Sequence, residues 1–122
     1  MKETPSNLRA WFAVLGGPLA WAAYHVASVA FGFARCNPPG GRPSVAMHGL
    51  VLAVAAAGAL TAVTAELLAW RLFSDTRDAG SAPPAGRVHH LAVIGLTINP
   101  LALAIIVMTA VAVAIDPLCH QG

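Results

Sequence analysis

Two cysteines and five histidines are the groups in this 122-residue chain with the widest chemical scope, and their spacing narrows what they could do. Cys36 and Cys119, with Met47, His48 and His120, offer the thiolate, thioether and imidazole groups that suit copper. His25 and His48 are the imidazoles that could ligate haem. The spacings that usually announce such sites are absent: there is no C-x-x-C-H, no C-x-x-C and no Met-x-x-Met series. Three readings of the cysteines stay open, namely a disulfide, a pair of buried free thiols, and a metal site completed by His120, and the missing metal spacings favour the disulfide. Such a bridge would close a loop of about 80 residues, worth a few kcal/mol, with no catalytic role. Catalytic constellations are also missing. The charged segments hold no Ser-His-Asp set, no paired carboxylates and no phosphate-binding loop, and Gly16-Gly17-Pro18 lies within an apolar run where no strand precedes it. The expectation is a non-enzymatic protein with no cofactor of its own.

The elements that position these groups follow from composition. At 57% hydrophobic, 10% charged and mean hydropathy +0.70, the chain has too little polar surface to coat a soluble globule. Residues 10–34, 43–65 and 88–115 contain no Asp, Glu, Lys or Arg, giving runs of 25, 23 and 28 residues. Each exceeds the roughly 20 needed to cross hydrocarbon. Lipid offers no water to backbone polar groups, so the runs predict helices. The expected fold is therefore all-α, one transmembrane domain over 1–122 with spans at about 10–34, 44–72 and 88–115. The first run is too long for the roughly 7–15-residue core of a secretory signal and reads as a retained span.

Orientation is read from the short charged segments. The N-terminus and the second connector share a side and carry Lys2, Arg9, Arg71, Arg77 and Arg87, whereas the other side carries Arg35 and Arg42. Five against two predicts a cytoplasmic N-terminus and an outer C-terminus in a bacterial inner membrane. Both cysteines, the Asn37-Pro38-Pro39-Gly40-Gly41 loop and the tail Asp116-Pro117-Leu118-Cys119-His120 then face an oxidising compartment, where a disulfide is permitted. The net charge of +2 is accounted for by this asymmetry, and no nucleic-acid patch is present.

Within the spans, small residues draw stripes. Ala20, Ala23, Ala27, Ala30 and Ala34 recur at steps of three and four, as do Gly49, Ala53 and Ala57, and Ala55 with Ala59 and Gly58 with Ala62 add neighbouring pairs. Such stripes let helices approach closely, either within the chain or against a larger partner. Pro18 and Pro100 lie inside runs and predict bends, the second near Thr97. Trp11 and Trp70 read as interfacial anchors. Of the intramembrane polar residues, His25, Glu66 and Asn99 are the candidates for function, because such groups usually face a bundle interior, a cavity or a partner. Plainer readings stand beside each: Glu66 could pair with Arg71, Asn99 could bond across helices or cap carbonyls freed by Pro100, and His25 could bond a neighbouring helix. His89 and His90, beside Arg87, read as interfacial.

The segment Leu15-Gly16-Gly17-Pro18-Leu19-Ala20-Trp21, followed by His25, Ser28 and Cys36, together with a last helix ending Asp116-Pro117-Leu118-Cys119, resembles a group of small three-helix bacterial membrane proteins encoded beside haem-copper cytochrome c oxidase subunits. The resemblance covers the first and third spans and departs after Ser28, where Val29-Ala30-Phe31 stands in place of an aromatic. It implies association with a terminal oxidase or respiratory supercomplex whose haem and copper belong to the partner, and it points to Gly16, Gly17, Pro18, Trp21, His25, Cys36 and Cys119. The expected function is a non-catalytic accessory or assembly subunit of such a complex. Two alternatives are an outer-face copper-handling protein built on Cys36, Cys119 and His120, and a self-assembling channel or carrier using His25, Glu66 and Asn99.

Overall fold

A computed structural model describes residues 6–36, 46–115 and Cys119. Three helices account for nearly all of them: α1, Asn7–Cys36; α2, Met47–Asp75; and α3, Ala85–Ile115. They contain 30, 29 and 31 residues, each long and apolar enough to cross a membrane. At 1.5 Å per residue every helix is about 45 Å long, so each covers the roughly 30 Å hydrocarbon core with turns to spare at both ends. The protein is an all-helical, multi-pass membrane protein in contact with lipid. The helices outrun the charge-free stretches, α1 by two or three residues at each end, α2 by ten at its C-terminal end and α3 by three at its start, because a helix keeps its backbone bonded through the interface where Arg35, Arg71 and Arg87 can reach water. Pro18 and Pro100 are both carried inside uninterrupted helices. The loop at 37–45 with Arg42, the residues Asp116, Pro117, Leu118 and His120, and Lys2 lie outside the described residues.

Each helix packs on both others, and the core is layered along the length of the bundle. One apolar layer, at the end where α1 begins, gathers Ala10 and Ala13 of α1, Ala69 and Leu72 of α2, and Val88 and Ala92 of α3. A second, toward the opposite end, gathers Ala20 and Tyr24, Val51 and Ala55, and Ile106 and Val113. Alanine dominates, so the helices meet almost backbone to backbone. A methyl added at Gly16 would stand 2.7 Å from Ala65 Cβ, and one added at Gly95 would fall on the Ala13 carbonyl oxygen and 3.1 Å from Ala69 Cβ. Dispersion between closely approached backbones stabilises the bundle here, since lipid is as apolar as the side chains.

The small stripes need a correction. On α2 the inward face is Val51, Ala55, Gly58, Ala62, Ala65, Ala69 and Leu72. Gly49, Ala53 and Ala57 are exposed on the outside of the bundle, and nothing lies within 4 Å of a methyl placed at Gly49. Two small-residue faces run along α2, and spacing alone does not say which one the chain itself uses. On α1 the stripe splits likewise: Ala20 is buried and Ala27 half-buried, whereas Ala23, Ala30 and Ala34 are exposed.

The α2–α3 connection is held by side chains. Thr76, buried at the end of α2, donates through Oγ1 to the Leu72 carbonyl at 2.6 Å and lies 3.0 Å from His89 Nδ1. The His89 ring stacks on Phe73 at 4.9 Å. His89 therefore staples α3 to the end of α2, a more specific role than an interfacial position. At the far ends, Cys36 closing α1 and Cys119 beyond α3 are joined in a disulfide, with Cα atoms 5.4 Å apart.

Candidate functional site

The principal polar feature of the bundle lies between its two apolar layers and is built on Asn99, which is fully buried. Its Nδ2 donates to the Ala13 carbonyl at 2.7 Å, and its Oδ1 accepts the Gly17 N–H at 3.1 Å. Those two backbone groups are the ones that the i to i−4 rule of an α-helix pairs with each other. The amide of α3 thus engages both ends of a single helical link of α1. It can do so because there is no side chain in the way. A methyl at Gly17 would stand 2.5 Å from Asn99 Oδ1 and 3.0 Å from Asn99 Cα. Ala13 and Gly17 on one helix face Gly95 and Asn99 on the other, a small residue four apart from its partner on each side, which is the spacing that brings transmembrane backbones together.

Glu66 of α2 completes the layer. Its carboxyl faces the Asn99 amide, and its Oε2 is buried with no hydrogen-bond partner among the described residues. It turns inward to α3 and not along the helix to Arg71, because Glu66 lies beside Ala62, Ala65 and Ala69 on the inward arc while Arg71 lies on the exposed surface. Asn99 bonds across helices, as one of its readings had it, and it satisfies α1 without capping the turn that Pro100 interrupts. Asn99 and Glu66 are brought together; His25 is not. His25 is exposed on the outer surface of α1, with its ring 6.0 Å from that of Trp21. The interior reading of His25 is thereby replaced by a surface one. His48 is half-buried in the first turn of α2, and His90 is exposed.

Sequence reasoning overlooked Tyr24. It is 2% exposed, and its hydroxyl is buried with no hydrogen-bond partner among the described residues, as is Ser28 Oγ one turn along α1. The signal available was the step of four between them on the arc that also carries Gly17 and Ala20. Thr76, thirteen residues before His89, was also overlooked, because it stands in the charged stretch from Arg71 to Asp78 where a threonine is unremarkable.

For the outer-face set, the disulfide decides the chemistry of the sulfurs. Bonded to each other, Cys36 and Cys119 offer no thiolate to copper. Among the described residues no group of three or more His, Cys, Asp or Glu side chains is arranged to hold a metal ion.

A second feature lies on the outside. Between α1 and α2 runs an apolar groove of about 580 Å³, walled by Trp11, Phe12, Leu15 and Leu19 on one helix and by Ala57 and Thr61 on the other. Ala23 and Ala57 also line it, so the exposed small stripes of both helices lead into the same face. Trp11 and Trp70 stand exposed at the end where α1 begins and α2 finishes, consistent with interfacial anchoring.

No protein-family model matches the chain, and neither a curated protein nor a solved structure matches it.

Proposed function

We propose that this chain is a non-catalytic accessory or assembly subunit of a larger membrane complex, seated in a bacterial inner membrane with its N-terminus in the cytoplasm. The complex implied by the Gly16-Gly17-Pro18 to Cys36 segment and the Asp116 to Cys119 ending is a haem-copper cytochrome c oxidase or its supercomplex. The observation that supports a docking role is the division of small residues into two sets. One set, from Ala13 through Gly58 to Gly95, is consumed in holding the three helices together. The other, with Ala30 and Ala34 on α1 and Gly49 and Ala53 on α2, lies exposed outside the α1–α2 groove. A helix surface smooth enough for backbone contact gains nothing from facing lipid, whereas against a partner helix it supplies close packing. His25 and Trp21 add an exposed imidazole and indole on another flank of α1, and an ionisable group in that position is satisfied by a partner's side chain or by a group the partner holds.

The reading is tested by purifying the tagged chain from native membranes in mild detergent, with mass spectrometry and a visible absorption spectrum of the eluate. Co-migration with haem-containing subunits is expected. Recovery of the chain alone and colourless, at stoichiometric yield, would sink the proposal.

A further inference from the structure

The groove between α1 and α2 has a chemistry that the small stripes do not, because its mouth carries charge. It begins at Leu8 and reaches Tyr24, about 24 Å of helix at 1.5 Å per residue, against roughly 15 Å of hydrocarbon in one leaflet. It therefore opens at the interface on the side where α1 starts. Two arginines flank that opening. Arg9 lies seven and eleven residues before Gly16 and Ala20, two of the groove's lining residues, and so stands below them on the same face of α1. On α2, Ala57 and Thr61 lead by steps of three, four and three through Thr64 and Leu68 to Arg71. Ala10 and Leu72, the immediate neighbours of these arginines, belong to one packed cluster, which puts Arg9 and Arg71 at the same depth. Both are exposed. The rim around them is net basic, with Arg9, Arg71, Arg77 and Arg87 exposed against Asp75 and Asp78.

From this placement we infer that the α1–α2 groove is a binding site for one anionic phospholipid, with an acyl chain laid along Leu15, Leu19 and Thr61 and the headgroup held between Arg9 and Arg71. Each element answers a part of such a molecule. An apolar trough longer than a leaflet takes a chain, the exposed Trp11 sits at the level of the glycerol region, and two guanidinium groups at one depth match a phosphate. The walls differ from the outer part of the same face, where alanine and glycine leave a smooth surface for a helix. In the groove, bulky Phe12, Leu15 and Leu19 stand on one side and small Ala57 and Gly58 on the other, which leaves a trough between uneven walls. The site is independent of which complex the chain joins, and it is a property of the chain alone.

The test reconstitutes the purified full chain into nanodiscs containing equal parts phosphatidylglycerol and phosphatidylcholine, extracts it in mild detergent, and counts retained lipids by native mass spectrometry. One retained phosphatidylglycerol per chain is expected, with a preference over phosphatidylcholine of about 30-fold, or about fivefold for each arginine near the surface. Arg9→Gln with Arg71→Gln should abolish the preference, Arg9→Lys with Arg71→Lys should keep most of it, and Thr61→Trp should expel the lipid by filling the trough. A thermal-scan midpoint in detergent unchanged from the parent chain certifies that each variant is folded. Should the glutamine pair fail that check, the wild-type preference measured at rising salt takes its place, and a preference indifferent to salt counts against the site. Equal retention of both lipids, a preference unchanged in the folded glutamine pair, or a protein helix cross-linked from a photoreactive group at Leu15 in native membranes would each overturn the inference.

Discussion

A single amide holds the middle of this bundle. Asn99 gives α1 a donor and an acceptor at the one turn where Gly17 leaves the backbone uncovered, and both bonds lie in a layer shut off from water. Replacing it with leucine removes both and leaves the Ala13 carbonyl short of one partner. The expected loss is about 1 kcal/mol, the usual size for interhelical hydrogen bonds in lipid, read as an earlier midpoint in SDS-titrated unfolding of the reconstituted chain. Gly17→Ala is expected to cost more, about 1–3 kcal/mol, since the added methyl meets Asn99 Cα at 3.0 Å and the two helices must separate. Gly49→Ala is the matched control and should leave the midpoint unmoved, because the methyl enters open space. Should Gly17→Ala and Gly49→Ala prove equal in the same titration, the close α1–α3 crossing described here is not what stabilises the protein. At this scale the residue types were readable beforehand, as Asn99 stood out for being polar within a span. Its target was not, since a backbone carbonyl and N–H on another helix leave no mark in the composition.

Helix α2 has two small-residue faces and one helix cannot use both inside a three-helix bundle. The face of Ala55, Gly58, Ala62, Ala65 and Ala69 is buried, and the face of Gly49, Ala53 and Ala57 is not. Enlarging a residue on each separates folding from assembly. Ala65→Leu places three extra carbons against Gly16, where even a methyl at Gly16 would already be 2.7 Å from Ala65 Cβ, so loss of folded protein is expected in thermal scans in detergent. Ala53→Leu should leave that scan unchanged while lowering the yield of co-purified partner subunits from native membranes. An unaltered partner yield with Ala53→Leu, and with Gly49→Leu, would remove this face from the proposed docking surface. Periodicity found both stripes, but a period is indifferent to what lies opposite it. Only the positions of α1 and α3 around α2 decide which stripe is interior.

On the scale of the whole molecule, the helices are fastened at both ends and in the middle. The Thr76, His89 and Phe73 cluster holds α2 to α3 at one end, the Asn99 bonds hold α3 to α1 between the two apolar layers, and the disulfide joins the far ends of α1 and α3 across 83 residues. Closing a loop of that length restricts the unfolded chain and stabilises the fold by about 2–4 kcal/mol. Maleimide labelling of the native chain should therefore be negligible before reduction and reach two thiols after it. Cys36→Ser should unfold at a correspondingly lower SDS fraction. Two thiols reactive before reduction would return both cysteines to the copper reading.

Three spans, the helical class, and the meeting of the two cysteines at one end follow from the sequence alone, because hydrocarbon accepts a backbone only when its polar groups are paired and the two crossings between Cys36 and Cys119 return the chain to the same side. The tertiary structure decided which faces the helices spend on each other. It sent His25 outward and Glu66 inward, and it laid Asn99 against a bare turn of α1. Those outcomes depend on backbones approaching within a methyl group's width, a distance set jointly by glycines and alanines on different helices, which no single stretch of the chain contains.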